Sequence, residues 1–388
     1  MTDVTQLIPQ APHGFGFTED HDLARKEARR FLSEHSTREH VRAQYEDPRG
    51  YDRDLYKQAL ELGWLGLSVP EQYGGAGLDA LHLLLLWEEL GRALYPSPLF
   101  GSALAVEALL RGRHEAQRGQ YLPEILSGNA IATFAYAETG GNWGADAVSC
   151  RAEPQEGKWV LSGTKAHVPF GASAGLLLVP AVDHKGELGI FILELPAAGI
   201  EVKPETSVDP TRRSARVELD RVKVPHGARI QGDGKAIFQR VCSLGYALLA
   251  AEMVGASEAV MLMTRDYASD RQQFGRAIGS FQAVKHPIVN AMMQTELARS
   301  LVLGAAAAMS STEAIDRPEV AEHASRMAKA FAEEALSFTV QRGVQLHGGF
   351  GFTWDCDVQL YFKRMLWSRA TLGDATEHRQ ALAKLLFR

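Results

Sequence analysis

A stretch in the carboxyl-terminal half of the sequence carries residue types that suit nucleotide binding. In "DRQQFGRAIGSFQAVKHPI", residues 270–288, Arg271 offers a planar cation with several donors, which matches a phosphate or pyrophosphate. Phe274 offers an aromatic face to a base, and Gln282 can donate to and accept from a heterocycle or ribose. Gly275 allows a tight turn between them. An interhelical loop with one ion-paired arginine fits equally, so this stretch alone leaves both interpretations open.

A second candidate is the glycine-rich stretch "QLHGGFGFTWD", residues 345–355. Gly348, Gly349 and Gly351 remove side chains from a turn, so that backbone N–H groups can approach a ligand. A helix that ends in a glycine cap has the same composition. The stretch is therefore either a ligand-binding turn or a helix terminus.

Two further segments carry polar groups. "FAYAETGGNWGAD", residues 134–146, could line a flat ring or form a polar loop before a strand. His167 in "GTKAHVPFG" could stack on such a ring, although an isolated histidine is more often structural. Glu252 lies in an apolar helical pattern, where it is either a buried acid or, more commonly, the partner of a charge on a neighbouring helix.

Composition excludes several classes of protein. The chain has 388 residues, 46% hydrophobic and 23% charged, with a net charge of −6, which fits a globular protein of two or three domains. The absence of a Lys/Arg run argues against nucleic acid as a partner. Cys150, Cys242 and Cys356 are scattered and lack zinc spacing, so we expect no metal site and a reduced, cytoplasmic protein. We expect no signal peptide and no membrane insertion, because the leucine run at 83–87 is short.

The periodicity of apolar residues changes twice along the chain and predicts an α, β, α order. Helical spacing dominates to about residue 130, short β-branched runs between Gly and Pro follow, and long apolar helical stripes resume near residue 233. The predicted domains are a helical domain (1–130), a β-barrel or sandwich domain (131–232) and a helical bundle (233–388).

Together these motifs resemble the acyl-CoA dehydrogenase family, from about residue 20 to residue 388. The stretches "ELGWLGLSVPEQYGGAGL", "RQQFGRAIGSFQ" and "QLHGGFGFT" carry the resemblance. It implies an N-terminal helical domain, a middle β domain and a C-terminal four-helix bundle, with FAD bound across a subunit interface of a dimer or tetramer. It also implies oxidation of an acyl-CoA thioester to the trans-2-enoyl-CoA, with loss of the α-proton, transfer of the β-hydride to flavin N5, and an electron-transferring flavoprotein as acceptor.

The resemblance implies cofactor roles for individual residues. It places Arg271 at the FAD pyrophosphate of the neighbouring subunit, Phe274 on the adenine and Gln282 nearby. Contacts with the adenosine diphosphate part are expected from Gln345, Gly348 and Gly349, and contacts with the flavin from Ala137, Thr139 and His167. Thr376 is a further expected contact with the cofactor.

The flavin segments depart from the family pattern. Where members often have "TEPGAGSD", this chain has "AETGGNWGAD", so that Asn142 and Trp143 replace a small Gly-Ser pair. Where members have "KxWIT", it has "KAHVP", with His167 at the Trp and Pro169 at the Thr. The loss of a hydroxyl removes a donor to the flavin.

The residues at the family's catalytic-base positions differ from the family pattern more strongly. Many members have "YEGT", and an alignment on "GFT" places Leu372 at its Glu and Gly373 at its Gly. Other members carry the Glu on the first bundle helix, where this chain has Gly245. Asp374, two residues past Leu372, is the best remaining candidate for the base.

Three interpretations of the function follow. The chain is an active dehydrogenase that uses Asp374, or a base-less subunit of a hetero-oligomer that completes its partner's FAD site, or a related flavin oxidase or monooxygenase.

Overall fold

The computed structural model describes residues 17–141, 143–310 and 318–387, and its elements follow the predicted α, β, α order. The last helix before the sheet ends at Leu126, and the sheet extends from Ala132 to Pro225. The first helix after it begins at Gly234. The predicted domain limits therefore fall in the short connections between these elements.

Within the described residues, six α-helices precede the sheet. The fourth of them lies at the centre of this amino-terminal helical region. Asp79 accepts a hydrogen bond from the His82 amide and so caps this fourth helix, whose leucines are buried on all sides. This helix is therefore part of the core of the amino-terminal region. The helices are α1 (Glu19–His35), α2 (Arg38–Glu46), α3 (Arg53–Glu61), α4 (Ala80–Ala93), α5 (Leu99–Arg111) and α6 (Glu115–Leu126).

The middle region forms one continuous sheet of seven strands. They are β1 (Ala132–Phe134), β2 (Arg151–Gln155), β3 (Lys158–Pro169), β4 (Leu176–Asp183), β5 (Leu188–Glu194), β6 (Ile200–Glu205) and β7 (Ser214–Pro225). One edge of β4 pairs in parallel with β1 and then β2, and its other edge pairs antiparallel with β5. β2, β3, β7 and β6 continue the sheet as antiparallel neighbours.

Long helices form the carboxyl-terminal region. They are α7 (Gly234–Asp270), α8 (Gln282–Ser310), α9 (Pro318–Leu346), α10 (Val358–Ala370) and α11 (Ala375–Leu386), with a hairpin of β8 (Gln272–Gln273) and β9 (Arg276–Ala277) between α7 and α8. The buried Ser257 hydroxyl lies 2.8 Å from that of Thr295 and 2.9 Å from that of Thr339, and so joins α7, α8 and α9. The predicted helical bundle is confirmed.

α7 is the central helix of the molecule. It is long and apolar enough to cross a membrane by length and composition, but 89% of its most apolar window is buried inside the protein. α4, α5, α8 and α9 pack around it. Its apolar character is therefore that of a core helix.

A buried ionic layer joins α1, α4, α7 and α8. Arg299 lies 3.0 Å from Glu88 and 2.5 Å from Glu258, and Arg25 lies 2.9 Å from Glu88. Burial alone would raise the pKa of Glu88, but the surrounding arginines outweigh it and lower this pKa to about 2. These buried ion pairs therefore connect the amino-terminal helices α1 and α4 to the bundle helices α7 and α8.

Candidate active site

The loop between α10 and α11 places Leu372 against the first half of α7. Leu372 is buried and has a φ of 59°, and a Cβ built on Gly245 would lie 2.5 Å from its Cδ1. The next neighbours of that built atom are Leu104 and Phe100 of α5. The leucine therefore fills the room that the glycine leaves. The two positions at which the family resemblance predicts a base face each other, and both are apolar.

Asp374, the predicted base, begins α11. Its Oδ1 accepts hydrogen bonds from the amides of Thr376 at 2.9 Å and Glu377 at 3.0 Å, and Glu377 accepts one from the Asp374 amide at 3.0 Å. This reciprocal capping box satisfies the free amides at the start of the helix. The carboxylate thus has a structural role, and its catalytic role stays a prediction. Thr376, a predicted cofactor contact, is exposed in the first turn of α11.

A buried lysine supports this loop from behind. Lys329 of α9 is 0% exposed, and its Nζ donates to the Gly373 carbonyl at 3.2 Å and lies 3.7 Å from Glu333. Burial lowers the pKa of Lys329 to about 8, although Glu333 opposes the shift. Sequence reasoning missed this residue. The available signal in the sequence was a lysine flanked by Ala328 and Ala330 within an apolar helical pattern, which indicates a buried charge.

A histidine from the last helix completes the support. The buried ring of His378 packs edge-on against Tyr246 of α7, with centroids 4.7 Å apart. Burial, reinforced by the charges of Lys329 and Arg326, lowers the pKa of His378 to about 3. The imidazole is therefore neutral at physiological pH where it packs on Tyr246.

The predicted flavin segments meet in the sheet domain. The Ala166 amide donates to the Ala137 carbonyl at 3.0 Å, which brings Thr139 and His167 to either side of one β-bridge. Thr139 is exposed, and the His167 side chain is 62% exposed. His167 has a φ of 52°, and its Nδ1 lies 3.2 Å from Glu205. An exposed ring on a bulged strand is available to an external ligand.

An ion pair that sequence reasoning missed lies beneath this bridge. Lys165 is completely buried, and its Nζ donates to Glu138 at 2.6 Å. Burial alone would raise the pKa of Glu138, but Lys165 and hydrogen bonds from Ser149 and Cys150 lower it to about 2. The pair fixes the two segments relative to each other.

The departures from the family pattern fall beside the same bridge. Trp143 is half-buried, with its ring centroid 5.9 Å from that of Tyr136. Pro169 is buried, and its carbonyl accepts a hydrogen bond from Thr133 at 2.8 Å. Asn142 lies outside the described residues. The substitutions therefore place an indole and a proline ring where the family pattern has small or hydroxyl-bearing side chains.

The predicted pyrophosphate and adenine contacts lie on the hairpin after α7. Phe274 and Gly275 form its two-residue turn with φ values of 54° and 76°, which is the two-residue hairpin conformation with positive φ. The Phe274 side chain is 89% exposed, and Arg271 and Gln282 are exposed beside it. A left-handed phenylalanine held out into solvent favours the ligand-binding interpretation over an ordinary loop.

The glycine-rich stretch lies next to this hairpin. α9 ends at Leu346, and Gly348 follows with a φ of 62°, so the glycine cap is present. Gln345, Gly348 and Gly349 are exposed. The ring of Tyr267 near the end of α7 stacks on that of His347 with centroids 4.4 Å apart, which holds the two predicted adenosine diphosphate segments together.

Within one chain, these two groups of predicted site residues lie far apart. Gly245 lies in α7, and Arg271 directly follows this helix. The 26 positions between them correspond to roughly 39 Å at the rise per residue of an α-helix. One extended FAD molecule is shorter than this. The hairpin is therefore distant from the contact between Leu372 and Gly245.

Glu252 proves to be an ion-pair partner. Its carboxylate lies 2.8 Å from Arg364 of α10 and 2.5 Å from Arg212 of the β6–β7 connection. Arg364 also lies 2.5 Å from Asp209. All four side chains are buried, and the arginines lower the pKa of Glu252 against the opposing effect of burial. The expectation that Glu252 pairs with a neighbouring helix is confirmed.

Comparison with known families identifies this architecture. A family model for the acyl-CoA dehydrogenase N-terminal domain matches residues 18–129, and one for the acyl-CoA dehydrogenase C-terminal domain matches residues 232–387. The chain belongs to the acyl-CoA dehydrogenase family. It is therefore an oxidoreductase of the class that acts on the CH–CH group of donors.

Individual relatives cover nearly the whole chain. Acyl-CoA dehydrogenase IpdE2 of Mycolicibacterium smegmatis is 32% identical over 371 residues, 95% of this chain and 100% of the relative. The solved structure of a variant of the Tcur3481–Tcur3483 steroid ACAD is 30% identical with a TM-score of 0.85, and covers 95% of this chain and 98% of that one. The ChsE4–ChsE5 complex of Mycobacterium tuberculosis is 25% identical with a TM-score of 0.87, and covers 96% and 99%. The predicted fold and family are confirmed.

Proposed function

We propose that this protein takes part in the FAD-dependent oxidation of an acyl-CoA thioester to the trans-2-enoyl-CoA as a subunit without a base of its own. In this role it completes the FAD site of a homologous partner subunit. The observation that carries the proposal is the buried contact between Leu372 and Gly245.

The chemistry explains why this contact matters. The α-proton of a thioester is weakly acidic, so its removal needs a base within hydrogen-bond reach of the carbon. Leu372 and Gly245 supply no acceptor at the two predicted positions. Asp374 is engaged in the cap of α11, and Glu252 in ion pairs with two arginines.

The hairpin and the glycine-rich turn support the second half of the proposal. FAD, when bound, accepts the hydride from the β-carbon. In this assembly Arg271 would hold the partner's pyrophosphate, Phe274 would pack on its adenine, and Gln345, Gly348 and Gly349 would line the rest. These side chains and backbone groups are all exposed. Their open arrangement fits a ligand bound between subunits.

Two relatives support an assembly of unlike chains. The Tcur3481–Tcur3483 protein is named as a pair, and ChsE4–ChsE5 as a complex. Both resemble this chain over almost its full length. An electron-transferring flavoprotein is the electron acceptor that we propose for the assembled enzyme.

Flavin content is the first test. The chain purified alone should carry much less than one FAD per polypeptide, and co-expression with a homologous subunit that has the family's "YEGT" glutamate should restore both flavin and acyl-CoA-dependent bleaching under argon. Arg271→Gln in this chain should then lower the flavin content of the assembly. A chain that alone holds one FAD per polypeptide and turns over an acyl-CoA would overturn the proposal.

Asp374→Asn separates the two interpretations of the base. Asparagine caps a helix as well as aspartate does, so the fold should survive the substitution. In the assembly, the rate of flavin bleaching should stay unchanged. A loss of bleaching in a fully flavinated Asp374→Asn protein would instead make Asp374 the base and this chain a dehydrogenase in its own right.

A further inference from the structure

Three side chains from α1 and the start of α4 converge on one point, away from the sites described above. His21 Nε2 lies 3.4 Å from Asp79 Oδ1, and His82 Nδ1 lies 2.8 Å from the same oxygen. The three ligand atoms lie within 4.8 Å of one another. The imidazole rings stack with centroids 3.8 Å apart. We infer that His21, Asp79 and His82 form a site for one divalent first-row transition metal, with Zn²⁺ as the best chemical match.

The spacing of the donors is close to what such a cation needs. Zinc binds imidazole nitrogen and carboxylate oxygen at about 2.0–2.2 Å, which puts neighbouring donors of a tetrahedral site about 3.3–3.5 Å apart. The distances of 3.4 Å and 2.8 Å from Asp79 Oδ1 are close to this value, whereas the two imidazole rings are stacked and must turn for both nitrogens to face one ion. The three donors are therefore close together, and binding requires a rotation of the rings.

The donor set also selects the class of cation. Two imidazoles and one carboxylate suit zinc and its first-row neighbours, whereas magnesium and calcium prefer oxygen ligands alone.

The surroundings can accommodate a metal-bound histidine after one proton shift. His21 Nδ1 accepts a hydrogen bond from the Thr18 amide at 3.1 Å, so Nε2 carries the ring proton and points it at Asp79. A metal at Nε2 would move this proton to Nδ1, where the Thr18 hydroxyl at 2.7 Å can accept it. Both histidines are buried, while the Asp79 side chain is 43% exposed. The exposed carboxylate leaves an entry path and a fourth coordination position on the solvent side.

A cation here would tie distant parts of the chain together. His21 and Asp79 are 58 positions apart, and the Ala80 amide donates to the Ser310 hydroxyl at the end of α8 at 3.2 Å. The metal would thus clamp α1 to α4 beside the bundle. No sequence motif predicts the site, and we expected none, because its ligands meet only through the packing of α1 on α4.

Zinc binding to the full chain tests the inference. The protein is treated with EDTA, dialysed and titrated with Zn²⁺ by calorimetry, and its thermal unfolding is recorded with and without the ion. We expect one Zn²⁺ per chain and a higher unfolding temperature with the ion. His82→Gln should weaken binding at least tenfold.

Two more variants make the result decisive. Asp79→Asn keeps an amide that can cap α4 but removes the charge, and should also weaken zinc binding at least tenfold. His35→Gln changes an exposed histidine of α1 and should bind zinc like the parent. The inference fails if the parent takes up no zinc, or if His82→Gln and Asp79→Asn bind it as tightly as the parent.

Discussion

Gly245 lies inside a helix, where glycine costs about 1 kcal/mol relative to alanine. The structure explains its presence, because any side chain there would overlap Leu372. Leu372 in turn adopts a left-handed φ of 59° that an aliphatic residue rarely takes. The Leu372 side chain packs in the space that Gly245 leaves open. The position at which the family resemblance predicts a catalytic acid is therefore part of the hydrophobic core.

Gly245→Ala should therefore be destabilising, by about 1–3 kcal/mol, because the new methyl group overpacks against Leu372. Leu372→Ala should cost about 2–5 kcal/mol through the cavity that it leaves. In the double variant the new methyl group occupies part of that cavity, so the effect of Gly245→Ala should become favourable. Thermal unfolding of the four proteins measures the coupling. Additive effects would show that the two side chains do not share one space.

The cap at Asp374 makes a second prediction at this scale. Asp374→Ala should lower stability by about 1 kcal/mol, because the amides of Thr376 and Glu377 lose their acceptor. Asp374→Asn should lie within about 0.5 kcal/mol of the parent. Denaturant unfolding of both variants provides the measurement, and equal losses would mean that charge, not capping, is what the residue contributes.

At the scale of the elements, the contact between α9 and α11 should determine how the free energy of unfolding changes with pH in mild acid. His378 has a folded-state pKa of about 3, below its ordinary value near 6.5, and it faces Lys329 and Arg326 of α9 and Tyr246 of α7. Between these two pH values the unfolded chain binds the proton and the folded protein does not. Stability is therefore complete above pH 6.5 and falls as the pH decreases below it.

The expected loss from this histidine between pH 7 and pH 5 is about 2 kcal/mol. His378→Gln should remove that part of the pH dependence, whereas His184→Gln, which changes an exposed histidine, should keep it. Denaturant unfolding at the two pH values measures the difference. An unchanged slope in His378→Gln would mean that the ring is solvated in the folded protein.

The contact between the bundle and the sheet depends on Glu252. Glu252→Gln would leave Arg212 and Arg364 buried with less negative charge, and should cost about 3–5 kcal/mol. Glu61→Gln, in an exposed pair with Lys57, should cost less than about 0.5 kcal/mol. Thermal unfolding of the two variants compares them. A Glu252→Gln protein of parental stability would contradict the structural role of the carboxylate.

Sequence patterns predicted the elements well where one physical cause dominates. The apolar stripes of α7 and α9 and the β-branched runs of the sheet follow directly from which face must be buried. Lys329, Lys165 and His378 escaped prediction because their burial depends on partners that are distant in sequence, such as Gly373 for Lys329. His21, Asp79 and His82 escaped it for the same reason.

For the whole molecule, the separation of the site residues is the decisive feature. Sequence alone indicated the segments around Arg271 and Gly348 and the absence of a carboxylate at Leu372. It did not reveal that Leu372 and Gly245 touch, because that contact depends on how the helices pack. The apolar pair at the predicted base positions and the exposed hairpin are the features on which the proposed assembly rests.

An apolar stripe on α8 marks the surface through which that assembly should form. Val289, Met293 and Leu297 are spaced four residues apart and are 46%, 56% and 56% exposed. This spacing places them on one helix face, and α8 begins at Gln282, beside the predicted FAD segment. An exposed stripe of this kind is typical of a surface that another subunit covers.

Met293→Glu with Leu297→Glu should therefore weaken the association of subunits at least 100-fold, since two charges would be buried against an apolar partner surface. Light scattering after size-exclusion chromatography should show a shift toward monomer, and the flavin absorbance of the assembly should fall with it, because the hairpin and the partner's flavin then separate. Leu23→Glu, at a leucine of α1 that is 59% exposed, should leave both the mass and the flavin content unchanged. A double variant with the parental mass would place the subunit interface elsewhere. One that loses mass but keeps its flavin would show that each subunit binds FAD alone.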